Sequence, residues 1–250
     1  YEMFLETIVA SWEAYKRMAS DGPTLDERQT YRVLEEVALH LHGSTQDNLI
    51  HEERLISLIT NLLAKHYGEA EGTAESKAHS LLKLIRERTG LLIERDLQRY
   101  GFMHLTFQEY LAARALAKRR EDRAALLKDY IHVPRWREVI LLTAARLGEL
   151  SEEDATDFVR AIYEHRDQYE EHLHRSLLLA GACLGDDVPV EPSLARRILD
   201  DLKHLFEETR IDALRQDVGK TLAGTRQASF EEEIESYLLS CLEKEAPEIR

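Results

Sequence analysis

One histidine lies where an anion could bind. His104 stands two residues before Thr106, and Thr106 and Glu109 form an S/T-x-x-E pattern. This pattern predicts a capping box, in which each side chain accepts a hydrogen bond from a backbone N–H at the start of a helix. Leu105 and Tyr110 occupy the positions of a hydrophobic staple. His104 would then lie at the positive end of a helix dipole, which stabilises a phosphate or carboxylate. The alternative is a structural histidine that makes a hydrogen bond at a strand end.

No catalytic motif is found. The segment Gly219–Thr221 has the G-K-T letters of a phosphate-binding loop, but Leu214 stands where that pattern requires a glycine, and no strand precedes it. His51 does not begin an H-E-x-x-H zinc motif, because residue 55 is a leucine. The sequence therefore predicts a non-catalytic chain.

Three histidines and three glutamates lie close together in the sequence: His165, His172, His174, Glu164, Glu170 and Glu171. Imidazole and carboxylate groups can bind zinc, but this spacing implies no closed set of four ligands. We therefore expect a solvated charged face and no metal. Cys183 and Cys241 each lie in an apolar helical pattern, which indicates buried free thiols.

The composition favours a mainly α-helical globular protein. Hydrophobic residues make up 44% and charged residues 32%, and glycine and proline are scarce. The net charge of -14 repels phosphate backbones, so we expect no DNA binding. No apolar run is long enough to span a membrane, and no signal peptide opens the chain. We expect a cytoplasmic protein.

The helices that would position His104 follow from apolar periodicity. Residues 4–12 predict one amphipathic helix, and a capping box at Thr24 and Glu27 opens a second. Helices over 52–67 and 73–88 follow, and 91–105 predicts a β-hairpin. Three helices and a hairpin in this order are typical of a winged helix. The last of these helices is mixed in charge, which gives DNA recognition only weak support.

The second half of the chain contains a weak internal repeat. The similar segments are Leu141–Gly148, Leu178–Gly185 and Val218–Gly224. A second predicted helix follows each of them: Ala155–Tyr163, Leu194–Phe206 and Phe230–Leu242. Ser151 and Ser229 mark two of these helix starts. The pattern predicts about three HEAT-like helix pairs, each of which buries its apolar face on its neighbours. Trp136 is expected to be a buried anchor rather than a ring that stacks on a ligand.

The segment around His104 also resembles a known family. GLLIER followed by YGFMHLTFQEYLAARALA is similar to the end of the winged-helix domain of NACHT-type STAND NTPases, and Phe102–Ala113 is its specific part. The resemblance implies that His104 reaches the β-phosphate of ADP bound to an NTPase core. That core would lie N-terminal to Tyr1 and would bind ADP or ATP. Residues 1–23 would end a helical domain, 24–120 would form the winged helix, and 121–250 would form the HEAT-like repeats.

The resemblance further implies a regulatory and non-catalytic role. The winged helix would lock ADP in a resting state, and the repeats would sense an unknown protein or pathogen-derived ligand. The parent would oligomerise on activation, in innate immunity or antiphage defence. The alternative is a free-standing helical scaffold that binds protein partners and has no link to nucleotide. The segment Phe102–Ala113 favours the regulator, because a scaffold has no reason to carry it.

Overall fold

The computed structural model describes residues 24–44, 47–87, 91–225 and 230–245. The chain divides into two compact units, and the boundary lies between Lys118 and Arg119. The predicted helix over residues 4–12 lies outside the described residues. Because helices dominate both units beside one small sheet, the prediction of a mainly α fold is confirmed.

Over residues 24–44, 47–87 and 91–118, the N-terminal unit contains four helices and three short strands. The helices are α1 (Glu27–Ser44), α2 (Glu52–Tyr67), α3 (Glu71–Glu87) and α4 (Leu105–Lys118). The strands are β1 (Ile50–His51), β2 (Leu92–Asp96) and β3 (Arg99–Phe102). Helix α1 packs along α4, and α2 packs on α3. This is the predicted order of helices followed by a wing.

The sheet has one strand more than the sequence predicts. Strand β3 lies in the middle and pairs antiparallel with both β1 and β2. Leu92 lies opposite Phe102, and Ile50 lies opposite Tyr100. With only two residues, β1 is too short to show an alternating pattern, so the sequence could not reveal it.

The predicted capping box at Thr24 and Glu27 is wrong by two residues. Asp26 N–H donates to Gln29 Oε1 at 3.2 Å, and Gln29 N–H donates to Asp26 Oδ1 at 2.7 Å. These reciprocal hydrogen bonds form a capping box in which an aspartate replaces the serine or threonine. Helix α1 accordingly begins at Glu27, where the sequence prediction placed the end of the motif.

A buried ion-pair cluster joins α1 to the C-terminal end of α4. The Glu35 side chain is fully buried and accepts hydrogen bonds from Arg114 Nε at 3.0 Å and Lys118 Nζ at 2.6 Å. A buried carboxylate needs such partners, because desolvation without them is costly. The cluster fixes how α4 lies against α1.

The C-terminal unit is helical throughout its described residues. Its helices are α5 (Arg123–Tyr130), α6 (Arg137–Leu150), α7 (Glu152–Tyr163), α8 (Glu170–Leu173), α9 (Arg175–Gly185), α10 (Pro192–Glu208), α11 (Asp212–Ala223) and α12 (Glu231–Glu245). A 3-10 turn over Pro134–Trp136 precedes α6. All three predicted second helices are present, as α7, α10 and α12.

These helices form two layers. The first helices of the pairs pack in the series α6, α9, α11, and each also packs on a second helix. In the other layer α7 packs on α10, and Arg196 and Lys203 of α10 pair with Glu233 of α12. Such stacking of pairs is what the internal repeat predicts.

Several detailed predictions for this unit can be compared with the structure. The Ser151 hydroxyl caps α7 by accepting from Asp154 N at 3.2 Å, as predicted, and Ser229 lies outside the described residues. Trp136 is buried and stacks on Tyr130, with ring centroids 4.0 Å apart.

Cys183 is buried, and burial raises its pKa to about 12, so the thiol stays protonated at neutral pH. Cys241 is only half-buried, because it lies near the end of the last described helix.

At two glycines of the repeat, Gly148 and Gly185, another part of the backbone or a proline ring lies close to the Cα atom. A Cβ atom added to Gly148 would lie 2.5 Å from Pro189 Cδ, in the loop before α10. A Cβ atom on Gly185 would lie 3.1 Å from Gly224 O. Neighbouring pairs therefore pack closely because these positions carry no side chain.

We expect Gly148→Ala to lower the unfolding free energy of the C-terminal unit by about 1–3 kcal/mol, the usual cost of overpacking. Gly72→Ala in α3 is the matched control, because a Cβ atom there meets nothing within 4 Å. It should instead stabilise its helix by about 0.5–1 kcal/mol. Denaturant unfolding followed by circular dichroism measures both. Equal changes for the two variants would contradict the close packing at Gly148.

Candidate anion-binding site at His104

The strand that leads to His104 is fixed by backbone hydrogen bonds. Met103 N–H donates to Leu91 O at 2.8 Å. The Arg95 guanidinium donates to Phe102 O at 3.0 Å and to Met103 O at 2.5 Å. The last residues before His104 are therefore hydrogen-bonded to β2 and to Leu91, which directly precedes it.

The middle strand is held to α2 and α3 through a buried tyrosine. The Tyr100 hydroxyl accepts a hydrogen bond from Arg86 Nε at 2.7 Å and lies 3.3 Å from Glu52 Oε2. Burial raises the pKa of Tyr100 to about 12, although the Arg86 charge opposes this shift. The hydroxyl is therefore protonated and anchors β3 to both helices.

The structure places His104 at the start of α4, closer to the helix than predicted. The helix begins at Leu105, and His104 O accepts from Phe107 N at 3.2 Å and from Gln108 N at 3.5 Å. His104 is thus the N-cap residue, and Thr106 lies inside the first turn. The predicted capping box of Thr106 with Glu109 is wrong, because it requires Thr106 to be the N-cap. The predicted staple fails as well, since Leu105 is half exposed.

The His104 side chain is accessible. It is exposed, and its ring centroid lies 5.9 Å from that of the buried Phe107, with the planes tilted by 55°. An N-cap side chain lies beside the first N–H groups of its helix, where the macrodipole is positive. The imidazole can therefore donate a hydrogen bond to an anion that the helix start also attracts.

Gln108 links the first turn of α4 to other parts of the N-terminal unit. Its side chain is buried, and its Nε2 donates to Asn48 Oδ1 at 2.9 Å and lies 3.3 Å from His42 Nδ1. These contacts tie the first turn of α4 to the end of α1 and the segment before β1. These contacts of Gln108 could not be predicted from the sequence, because its partners lie 60 and 66 residues away.

The other segments considered for chemistry do not form a site. The segment Gly219–Thr221 lies within α11, so its backbone N–H groups are engaged in a helix rather than in a phosphate loop. In α3, Lys77 pairs with Glu69 at 2.6 Å and Arg86 pairs with Glu52. Two cations of the helix that could read DNA are therefore neutralised within the protein.

The histidine and glutamate cluster is rearranged relative to the prediction. Glu170 is buried rather than solvated, and both its carboxylate oxygens accept from Ser176 N at 3.1 Å at the start of α9. The structure also brings His132 and Asp167 to it, with ligand atoms within 4.8 Å of one another. However, Asp167 Oδ2 accepts from the Arg175 guanidinium at 2.6 Å.

The Arg175 guanidinium already pairs with the Asp167 carboxylate, and the start of α9 already donates to the Glu170 carboxylate. Burial and the nearby Arg175 charge lower the pKa of His132. The residues therefore fit an internal ion-pair cluster better than a metal centre.

Comparison with known families agrees with the fold of the N-terminal unit. Residues 1–116 match the model of the winged helix-turn-helix domain C-terminal to NACHT. The N-terminal unit is such a winged helix, a non-catalytic region, and the resemblance to a NACHT-type protein is confirmed. No curated protein and no solved structure matches the chain. Among the described residues, no helix is both long and apolar enough to cross a bilayer.

Proposed function

We propose that this chain is the regulatory portion of a NACHT-type STAND signalling NTPase. In this proposal the winged helix folds over an N-terminal NTPase core, and His104 donates a hydrogen bond to the β-phosphate of bound ADP. The observation that supports this most directly is the exposed His104 ring at the N-terminus of α4, within a domain of the family that follows NACHT.

The contacts around His104 support the proposal that the winged helix holds ADP in the resting state. Tyr100, Arg95 and Gln108 each fix a different part of the backbone around His104. Because these contacts hold the backbone around His104, little backbone freedom would be lost when the ring meets a phosphate, so more of the hydrogen-bond energy would stabilise the resting state. A ligand that binds the open state better would shift the equilibrium away from this contact.

The two-layered helices of the C-terminal unit would form the sensor. We interpret them as degenerate HEAT-like repeats that bind a protein or pathogen-derived ligand in the cytoplasm. Ligand binding would release the winged helix, allow ADP to exchange for ATP, and lead to oligomerisation in an immune or antiviral response. The match of residues 1–116 favours this role over a free-standing scaffold.

The proposal is tested on the longer protein that carries this chain. We expect it to purify with ADP bound in a 1:1 ratio and to be monomeric until stimulated. Extraction of the nucleotide followed by chromatography, together with light scattering, measures both properties. A nucleotide-free protein that also fails to bind added ADP would contradict the proposal.

We further expect the 250-residue chain alone to show no ATP or GTP hydrolysis, because a single histidine cannot replace a phosphate-binding loop. A phosphate-release assay with increasing amounts of purified chain checks this. Steady turnover that scales with protein concentration and co-elutes with the chain would contradict the non-catalytic assignment.

A further inference from the structure

The C-terminal unit has a cavity at two connections between its helix pairs. The cavity has a volume of about 700 Å³ and lies between the C-terminal ends of α7 and α10 and the first turns of α9 and α11. Its apolar lining residues are Tyr163, Leu177, Leu205, Ile211 and Leu214. Tyr163 and Leu177 are buried, whereas Ile211 is 58% exposed. The apolar lining therefore reaches the surface of the protein.

Exposed apolar side chains are grouped around this cavity. The large apolar side chains that are exposed among the described residues of the C-terminal unit are Val133, Leu150, Tyr169, Leu173, Ile211 and Leu239. Ile211 lines the cavity, and Tyr169 and Leu173 are next in the chain to residues that line it. Half of these side chains thus lie at one place. Such grouping favours a protein partner over a small molecule, because the apolar surface extends beyond the cavity itself.

Carboxylates outnumber guanidinium groups in the lining. The charged lining residues are Glu170, Glu171, Asp201, Glu208, Arg166 and Arg210. Glu170 is buried, and its carboxylate already accepts hydrogen bonds at the start of α9. The carboxylates of Glu171, Asp201 and Glu208 belong to exposed residues. Three surface carboxylates are therefore available to a partner in the cavity.

The two arginines of the lining follow helix C-terminal ends, where the backbone carries a partial negative charge. Arg166 Nη1 donates to Tyr163 O at 2.6 Å, at the end of α7, and to His165 O at 2.9 Å. Arg210 comes two residues after the end of α10. Neither arginine forms an ion pair with a carboxylate of the described residues. Because these guanidinium groups offset helix dipoles, the surface carboxylates remain without a cationic partner among the lining arginines.

We propose that this cavity is the contact site for a protein segment that carries a large apolar side chain beside a lysine or arginine. The apolar side chain would contact Ile211 and Leu214, and the cation would pair with Glu171 or Glu208. The net charge of -14 attracts a basic partner at longer range. This inference rests on the proposed sensor role of the C-terminal unit, and it assigns a surface and a partner chemistry to that role.

Selection from a random peptide library displayed on phage, with the 250-residue chain as the target, tests the partner chemistry. We expect the enriched peptides to share a large apolar residue with a lysine or arginine close to it. Enrichment of peptides without a basic residue, or no enrichment, would overturn the proposal. The most enriched peptide, carrying a fluorescent label, then serves as the probe for affinity measurements by fluorescence anisotropy.

Ile211→Ser should weaken binding of this peptide about tenfold, because it removes the exposed apolar part of the cavity. Ile211 is the N-cap residue of α11, and serine is favoured there, so the variant should stay folded. Leu150→Ser is the matched control, since Leu150 is 61% exposed in the same unit and does not line the cavity. It should leave the affinity unchanged. Equal affinities of the two variants would show that the peptide binds elsewhere.

Glu171→Gln should weaken the same binding about two- to fivefold, as expected for an exposed ion pair. The Glu171 side chain makes no hydrogen bond or ion pair with a described residue, so its replacement should not disturb the fold. Glu153→Gln removes an exposed carboxylate at the opposite end of α7 from Tyr163, outside the cavity, and should have little effect. Equal weakening by both variants would overturn the site, because the attraction would then be a general effect of charge.

The nucleotide content of the longer protein separates this inference from the proposed function. Failure of the peptide experiments in a protein that retains ADP would reject the cavity as the contact site and leave the ADP lock standing. Peptide binding that depends on Ile211 and Glu171, in a protein that binds no ADP, would support the contact site and contradict the lock.

Discussion

His104→Ala in the longer protein is expected to release ADP roughly ten- to a hundredfold faster and to signal without a stimulus. A hydrogen bond from the ring to a charged phosphate contributes about 1.5–3 kcal/mol, and 1.4 kcal/mol corresponds to a factor of ten. The loss should act on the resting state alone, because the exposed ring makes little contribution to the core. Stopped-flow release of a fluorescent ADP analogue measures the rate.

Thr106→Ala is the matched control for this experiment. Thr106 is also exposed and lies in the first turn of α4, but it is not the N-cap residue. Its replacement should leave ADP release and resting activity as they are in the unmodified protein. If His104→Ala and Thr106→Ala retain ADP equally well, His104 is a structural residue and the lock assignment is wrong.

Leu179→Ala is expected to lower the unfolding free energy of the C-terminal unit by about 2–5 kcal/mol, the usual cost of a leucine-sized cavity. Leu179 is 7% exposed and lies in α9, which packs on helices of both layers. Trp136 lies buried in the same unit, so its fluorescence reports the unfolding once Trp12 is replaced by phenylalanine.

The control for Leu179 is the same change at an exposed leucine. Leu150 is 61% exposed at the end of α6, so Leu150→Ala should change the unfolding free energy by less than about 0.5 kcal/mol. Urea titration of both variants provides the comparison. A midpoint for Leu179→Ala within error of Leu150→Ala would show that position 179 is not part of the core.

Periodicity in the sequence was sufficient to predict the helix order. Apolar residues at helical spacing predicted α1 to α3, and the repeat predicted α7, α10 and α12, because one buried face leaves a regular mark on the sequence. The same reasoning was less accurate for individual side chains. Of the six leucines in the repeated segments Leu141–Gly148 and Leu178–Gly185, Leu142 and Leu178 are only half-buried, since a layered arrangement decides which side of a helix is covered.

Helix starts were the weakest part of the sequence prediction. In both predicted capping boxes the N-cap residue was wrong by two positions, because several residues near a helix start can cap it and only the backbone path decides which does. The capping by Ser151 was predicted correctly, since no rival capping residue precedes α7 within the same turn.

The sequence by itself determined that the chain contains a winged helix of the kind that follows NACHT, and it singled out His104 as a candidate site residue. The segment around His104 carries the family resemblance, and it also predicted a strand followed by a helix. Only the tertiary structure could show what supports that residue. Gln108 meets Asn48, and Arg114 and Lys118 meet Glu35, across separations of 60 to 83 residues. Such pairs leave no local pattern, because chain folding rather than spacing brings their charges and hydrogen-bonding groups together.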